Sequence, residues 1–208
     1  MIRIELAEAG KKFQAQWIFR KIELSIAYRD RYAITGFNGS GKATLLQVIS
    51  GFLSLTEGKI LFTRNGSPLA ADEWYRQISY AAPYLDLPEE YNMHELFSFY
   101  ASFKPFSHQI TENALIEITG LQESRLKPIK HFSSGMKQRI KLALAVLSDA
   151  PVLLLDEPLS NLDKNGFLWY KDLIQQYTAD KTIIVCSNNI EEEIFFCDKR
   201  IDIHHYKV

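Results

Sequence analysis

Gly36-Phe37-Asn38-Gly39-Ser40-Gly41-Lys42 lies between an apolar run, Arg31-Tyr32-Ala33-Ile34-Thr35, and a segment of helical character, Thr44-Leu45-Leu46-Gln47-Val48-Ile49. Strand, glycine-rich turn, lysine and helix in that order make a loop that binds phosphate. The glycines let the backbone curl until successive N–H groups point inward at an anion, and the helix that starts there adds the positive end of its dipole. Lys42 supplies a point charge for β and γ phosphates. The candidate phosphate-binding residues are therefore Asn38, Gly39, Ser40, Gly41, Lys42, Ala43 and Thr44. A turn joining strand to helix without chemistry is the bland reading, and the lysine at this spacing argues against it. The loop departs from its pattern at the position after the lysine, where Ser or Thr normally places a hydroxyl on Mg²⁺. This chain has Ala43 there. Thr44, one step further along the helix, can meet an α phosphate but is poorly placed to replace the metal ligand.

Val152-Leu153-Leu154-Leu155-Asp156-Glu157-Pro158 is the second chemical stretch. Four apolar residues in a row make a parallel strand buried on both faces. Asp156 stands at its carboxyl end, where open α/β sheets place their ligands. Asp156 suits Mg²⁺, directly or through water, and Glu157 suits polarising a water for attack. Alone, this stretch would also read as a strand ending in a solvated acidic turn, and the upstream loop is what favours chemistry. The third stretch is Phe132-Ser133-Ser134-Gly135-Met136-Lys137-Gln138-Arg139. By itself it is a serine N-cap opening a basic helix.

These stretches need elements to hold them. Ile2–Leu6 alternates and reads as a half-exposed strand. Trp17–Phe19, Ile22–Ala27, Arg31–Thr35, Gly58–Thr63 and Ile78–Ala82 read as further strands. From about residue 89 to 148 the periodicity turns helical, with helices at His94–Tyr100, Ile110–Ile118 (closed by Gly120) and Met136–Leu147. Strands return at Val152–Leu155 and Thr182–Val185, with a helix at Lys164–Tyr177 between them. The expectation is one α/β domain, with residues 1–88 and 149–208 as core and about 89–148 as a helical subdomain grafted into it.

Composition sets outer limits. With 208 residues, 47% hydrophobic and 24% charged, the chain matches an ordinary globular domain and excludes disorder, collagen-like repeats and coiled coil. A net charge of −1 argues against duplex DNA or another nucleic acid as partner. Cys186 and Cys197 have no metal-ligand spacing and read as reduced thiols. Met1–Glu5 carries no apolar signal region, and no apolar run approaches the ~18 residues of a membrane span. A cytoplasmic protein is expected. Of the five histidines, His131 reads as packing and His204-His205 as a solvated tail. His94 and His108 carry no assigned chemistry.

Taken together, the loop, the acidic strand and the Ser133 stretch resemble the nucleotide-binding subunits of ABC transporters, across nearly the whole chain. The family's Leu-Ser-Gly-Gly-Gln signature is matched by Phe132-Ser133-Ser134-Gly135-Met136, which retains Ser133 and Gly135. Ser160-Asn161-Leu162-Asp163 is similar to its D-loop, and Phe13 to the aromatic that stacks on adenine, with Trp17 the second candidate. Two positions differ. Pro83 stands where the family has a Gln that touches Mg²⁺ and the attacking water. Asn188 stands where it has a switch His. An amide there can donate a hydrogen bond but cannot act as a cation.

The resemblance implies a P-loop NTPase (RecA-like) core with an N-terminal antiparallel β subdomain and an inserted helical subdomain. It implies ATP and Mg²⁺ as ligands, held by Phe13, the loop and Asp156 in one subunit and by Ser133, Gly135 and Asp163 of another. Glu157 and Asn188 would be the catalytic residues. A second nucleotide-binding subunit, identical or not, and a separate integral membrane permease would be the partners, which would keep the chain cytoplasmic and peripheral to the inner membrane. The short chain and its signature lean towards export. The departures at 43, 83 and 188 leave an alternative, a regulatory ATP-binding module that turns over slowly or not at all.

Overall fold

The computed structural model describes residues 1–107 and 110–207. In chain order it forms β1 (Ile2–Phe13), β2 (Gln16–Ile26), β3 (Arg31–Thr35), α1 (Lys42–Ile49), β4 (Glu57–Arg64), β5 (Ser67–Pro68), α2 (Trp74–Gln77) and β6 (Ile78–Ala81). There follow α3 (Met93–Phe103), α4 (Glu112–Thr119), α5 (Ser134–Leu147), β7 (Val152–Asp156), α6 (Lys164–Tyr177), β8 (Thr182–Ser187), α7 (Glu191–Ile194) and β9 (Lys199–Asp202). A 3-10 turn, Ile203–Tyr206, comes next.

The chain divides into two compact units, Met1–Tyr80 with Ala150–Glu157 and Asp180–Val208, and Ala81–Asp149 with Pro158–Ala179. The second unit therefore also takes residues 81–88 and α6, which the helical periodicity of 89–148 did not include.

The first unit holds a four-stranded sheet in the order β2-β1-β4-β5 and a five-stranded sheet in the order β6-β7-β8-β3-β9. The β1, β2 and β4 pairings are antiparallel, whereas β7, β8, β3 and β9 run parallel. Ile4, Leu6, Phe19, Ile22 and Phe62 of the first sheet, Leu45, Leu46 and Ile49 of α1, and Ile34, Leu154 and Ile184 of the second share one buried core. The α/β core with an antiparallel β subdomain is thus present.

The strands β1 and β2 are longer than their alternation predicts. Ile2–Leu6 extends to Phe13, and Trp17–Phe19 and Ile22–Ala27 are one strand. Bulges explain the break in pattern. Glu8 (φ 49°) and Lys21 (φ 56°) take left-handed conformations and the β1–β2 register shifts between Leu6 and Ala9, so period-2 alternation stops although pairing continues. Gly58 (φ 79°) lies against Glu8, where a Cβ would come within 2.2 Å of the Glu8 carbonyl oxygen. The edge strand β9, Lys-Arg-Ile-Asp, has too few apolar residues to be read as a strand from periodicity.

The second unit is helical. α5 is buried at Ile140 and at every position from Leu142 to Leu147, more than the single apolar face its sequence suggests. Its helices start where side chains satisfy the orphan N–H groups of their first turns. Asn92 closes a capping box with Glu95, and Thr111, Ser133 and Asp163 cap α4, α5 and α6. Gly120 ends α4 in the left-handed conformation, as the sequence predicts.

Candidate functional site

The phosphate loop leaves β3 at Gly36 and enters α1 at Lys42. Gly36 (φ 145°), Gly39 (φ 74°) and Gly41 (φ 105°) all have positive φ, a curl that side chains rarely permit. Gly41 is also pinned from below, since a Cβ there would meet Ile18 Cγ2 at 2.5 Å. Gly41→Ala therefore has to move the loop off β2. We expect it to cost about 1–3 kcal/mol of backbone strain and to weaken nucleotide binding in step, measurable as a lower Tm together with a higher ATP Kd. An unchanged Kd would place the phosphates elsewhere.

The Leu45 N–H donates to the Gly41 carbonyl (2.9 Å) and opens the α-helical ladder. The N–H groups of Lys42, Ala43 and Thr44 precede that ladder, in the first turn whose donors a helix leaves for an anion. Ser40 is buried, and its hydroxyl has no hydrogen-bond partner. Asn38 and Gly39 are exposed on the loop.

Lys42 is only 5% exposed. Its ammonium donates to the carbonyls of Gly36 (2.9 Å) and Phe37 (3.1 Å) and to Asn188 Oδ1 (2.7 Å). The amide of Asn188 in turn donates through Nδ2 to Glu157 Oε1 (2.8 Å). One side chain therefore joins the phosphate-loop cation to the carboxylate assigned as base. Glu157 has φ 42°, a left-handed conformation that costs a residue with a Cβ about 1–3 kcal/mol. Its N–H is held by the Cys186 carbonyl (2.9 Å), which fixes the turn as the chain leaves β7.

Asp156 is 4% exposed and pairs in the sheet with Cys186. The Cys186 thiol donates to the Lys42 carbonyl (3.3 Å), so Asp156 stands one strand away from the bond between Lys42 and Ala43. Burial, and then the charge of Asp156, push the Cys186 thiol well above its usual range, which keeps it protonated and inert. Cys186 is thus a spacer between strand and loop, in line with the reduced thiol expected.

Phe13 sits at the tip of the β1–β2 hairpin, 46% exposed, with Lys11 Nζ 5.1 Å from its ring centroid. Trp17 is half-buried between Arg20 (4.5 Å) and Lys12 (5.3 Å). Both faces of the hairpin tip thus pair an aromatic with a cation, and Phe13 is the more open of the two.

Ser133, Gly135 and Asp163 lie in the helical unit. Ser133 is exposed, and its oxygen accepts the Met136 N–H (3.2 Å). A Cβ on Gly135 would stand 3.0 Å from the Asn161 carbonyl, so the signature turn and the D-loop of one chain touch. Asp163 Oδ1 accepts the Gly166 N–H (2.7 Å). Buried Gln138 donates to the Pro158 carbonyl (3.0 Å), a link that sequence reading missed because a glutamine in a basic helix reads as surface. The carbonyl of Pro83 accepts Lys141 Nζ (2.6 Å).

Two histidine readings are corrected. His131 is exposed at the end of a 3-10 turn, Ile129–His131, rather than packed. His204 is not a solvated tail, because β9 pairs with β3 and brings the following turn to the phosphate loop. Its Nε2 accepts the Phe37 N–H (3.4 Å), and the two rings meet edge to face at 5.2 Å. His205 is exposed, and His108 lies outside the described residues.

This chain is similar to known proteins along almost all its length. It is 29% identical over 204 residues to the uncharacterized ABC transporter ATP-binding protein YybJ of Bacillus subtilis, covering 97% of this chain and 93% of that one. It is 26% identical to the lantibiotic transport ATP-binding protein SrtF of Streptococcus pyogenes, covering 92% and 82%. Its fold matches the ATP-binding cassette MJ0796, solved as a dimer in a post-hydrolysis state with ADP and Pi, at a TM-score of 0.81 and 19% identity, over 98% of this chain and 94% of that one. The sequence profile described as ABC transporter matches residues 19–160, and this chain therefore belongs to the ABC transporter family.

Proposed function

We infer that the chain is the ATP-binding subunit of an ABC transporter, and that it binds and hydrolyses ATP in a dimer to drive transport. The observation that carries this reading is the link from Lys42 through Asn188 to Glu157, one strand away from buried Asp156. The Lys42 ammonium is satisfied by two carbonyls and one amide oxygen. Phosphate oxygens offer it stronger, charge-assisted bonds. Exchange of a carbonyl for a phosphate oxygen leaves the bond to Asn188 Oδ1, and Asn188 Nδ2 keeps Glu157 in place to take a proton from water. The alternative, a module without turnover, leaves this arrangement of Glu157 without a purpose.

Magnesium is the metal that this donor set suits. Among the described residues no cluster of three or more His, Cys, Asp or Glu could hold a metal alone. Mg²⁺ asks for less, since it keeps several waters and binds through one or two carboxylates plus substrate phosphates. Asp156 is that carboxylate. When bound, the metal neutralises charge on the phosphates. Ala43 has no side-chain oxygen to offer it, and this is the main reason to expect a weak metal site.

We expect slow hydrolysis with a high Mg²⁺ requirement, and Ala43→Ser should lower that requirement several-fold and raise the rate. The check is ATPase rate against free Mg²⁺ for both proteins. Superimposable curves would mean that residue 43 is not beside the metal.

The dimer would set Ser133, Gly135 and Asp163 of one subunit on the ATP held by the loop of the other. The dimeric state of MJ0796 supports that expectation by likeness of fold. Among the described residues no helix is long and apolar enough to cross a membrane. A separate integral membrane permease would supply the path, with this chain peripheral to the inner membrane on its cytoplasmic side. The name of SrtF, a lantibiotic transport ATP-binding protein, supports a cargo of lantibiotic type.

A further inference from the structure

The phosphate loop has a support outside its own motif. Pairing of β9 with β3 sets Asp202 opposite Thr35, the last residue before the loop. Asp202 Oδ1 caps the next turn by accepting the His204 N–H (2.9 Å). That turn presents two side chains to the loop. Ile203, fully buried, packs on Gly36 so closely that a Cβ there would lie 2.8 Å from its Cγ2. His204 lies edge to face with the Phe37 ring and accepts the Phe37 N–H at Nε2.

Phe37 is 73% exposed, so little else holds its side chain. Its carbonyl, however, is one of the three acceptors of the Lys42 ammonium. The Phe37 N–H shares one planar peptide with the Gly36 carbonyl, the Lys42 acceptor at 2.9 Å, so the hydrogen bond from that N–H orients an acceptor of the phosphate-loop lysine.

We propose that His204 is a positioning residue for the phosphate loop, acting through a neutral Nε2 that holds the Phe37 N–H and so sets the loop geometry around Lys42. Its consequence for ATP rests on the reading of this loop as a nucleotide site, but the contact itself does not. Neutral imidazole can accept at one nitrogen and imidazolium at neither, so the acceptor, and not the ring alone, is the feature that matters. Glutamine keeps an acceptor oxygen at the end of a side chain of similar reach. Phenylalanine keeps the ring contact and loses the acceptor.

The test uses the whole chain as wild type, His204→Gln and His204→Phe, with two measurements. The first is hydrogen exchange at the Phe37 amide without nucleotide. Protection in wild type and in His204→Gln, with fast exchange in His204→Phe, is expected. An unprotected Phe37 amide in the wild type overturns the proposal, and that result needs no variant to fold. Equal protection in His204→Phe overturns it too. The second is ATP affinity by calorimetry. A loss of about three- to tenfold in His204→Phe, the equivalent of one neutral hydrogen bond, with recovery in His204→Gln, is expected. Equal affinity in all three proteins overturns the positioning role. A wild type that binds no ATP while its Phe37 amide is protected would instead count against the nucleotide reading and leave the contact standing.

Discussion

Glu157→Gln should reduce ATP turnover by about 10²–10⁴-fold, the usual contribution of a positioned general base. The amide cannot take a proton from water, yet it preserves the local structure. Its oxygen can still accept from Asn188 Nδ2, as Glu157 Oε1 does at 2.8 Å, and its backbone N–H still reaches the Cys186 carbonyl. The positive φ of residue 157 is unaffected by the change of side chain. A folded, ATP-binding, inactive protein is therefore expected, and bound ATP should hold two copies together. Turnover is read by phosphate release, and association by size-exclusion chromatography with ATP and Mg²⁺. A variant that hydrolyses ATP at the wild-type rate would remove Glu157 from the chemistry. One that stays monomeric at high protein concentration would count against a dimer of this chain with itself, and would point to a different subunit as the partner.

Lys42→Ala should weaken ATP binding by about ten- to a hundredfold, since a charge-assisted bond contributes about 1.5–3 kcal/mol and 1.4 kcal/mol is a factor of ten. The network around Lys42 adds a second effect. Without the ammonium, Asn188 Oδ1 loses its donor at 2.7 Å, and Asn188 is the side chain that holds Glu157. The variant should therefore lose turnover at saturating ATP as well as affinity, which removal of a simple binding contact would not do. Calorimetry measures the first effect and kcat the second. Equal affinity in both proteins would refute the phosphate assignment. A normal kcat with weak binding would mean that Asn188 does not depend on Lys42.

The residues proposed for the chemistry are legible in the order of amino acids, for a local reason. Gly36 to Thr44 and Val152 to Glu157 are continuous segments in which backbone conformation, apolar run and charged residue follow one another. Such patterns report themselves without knowledge of any distant contact. The same holds for α6, predicted at Lys164–Tyr177 and found there, because an Asp cap and helical periodicity bound it. The parallel strands β7 and β8 were equally plain, as unbroken apolar runs are buried on both faces.

The joins between segments were not legible. Nothing in Ser187-Asn188-Asn189 states that Asn188 will bridge Lys42, 146 residues earlier, and Glu157, 31 residues earlier. Nothing in the hairpin announces that Ile18 will lie beneath Gly41. His204 looked like part of a solvated tail, because the four-residue β9 that carries it to Phe37 is too short and too charged to show a period. Local order selects which residues are able to bind phosphate and move a proton, since those properties belong to the side chain and its own turn. Which of them meet is decided by strand pairing, through the placement of β8 between β7 and β3 and of β9 beside β3, because contacts across a sheet depend on register and not on separation along the chain.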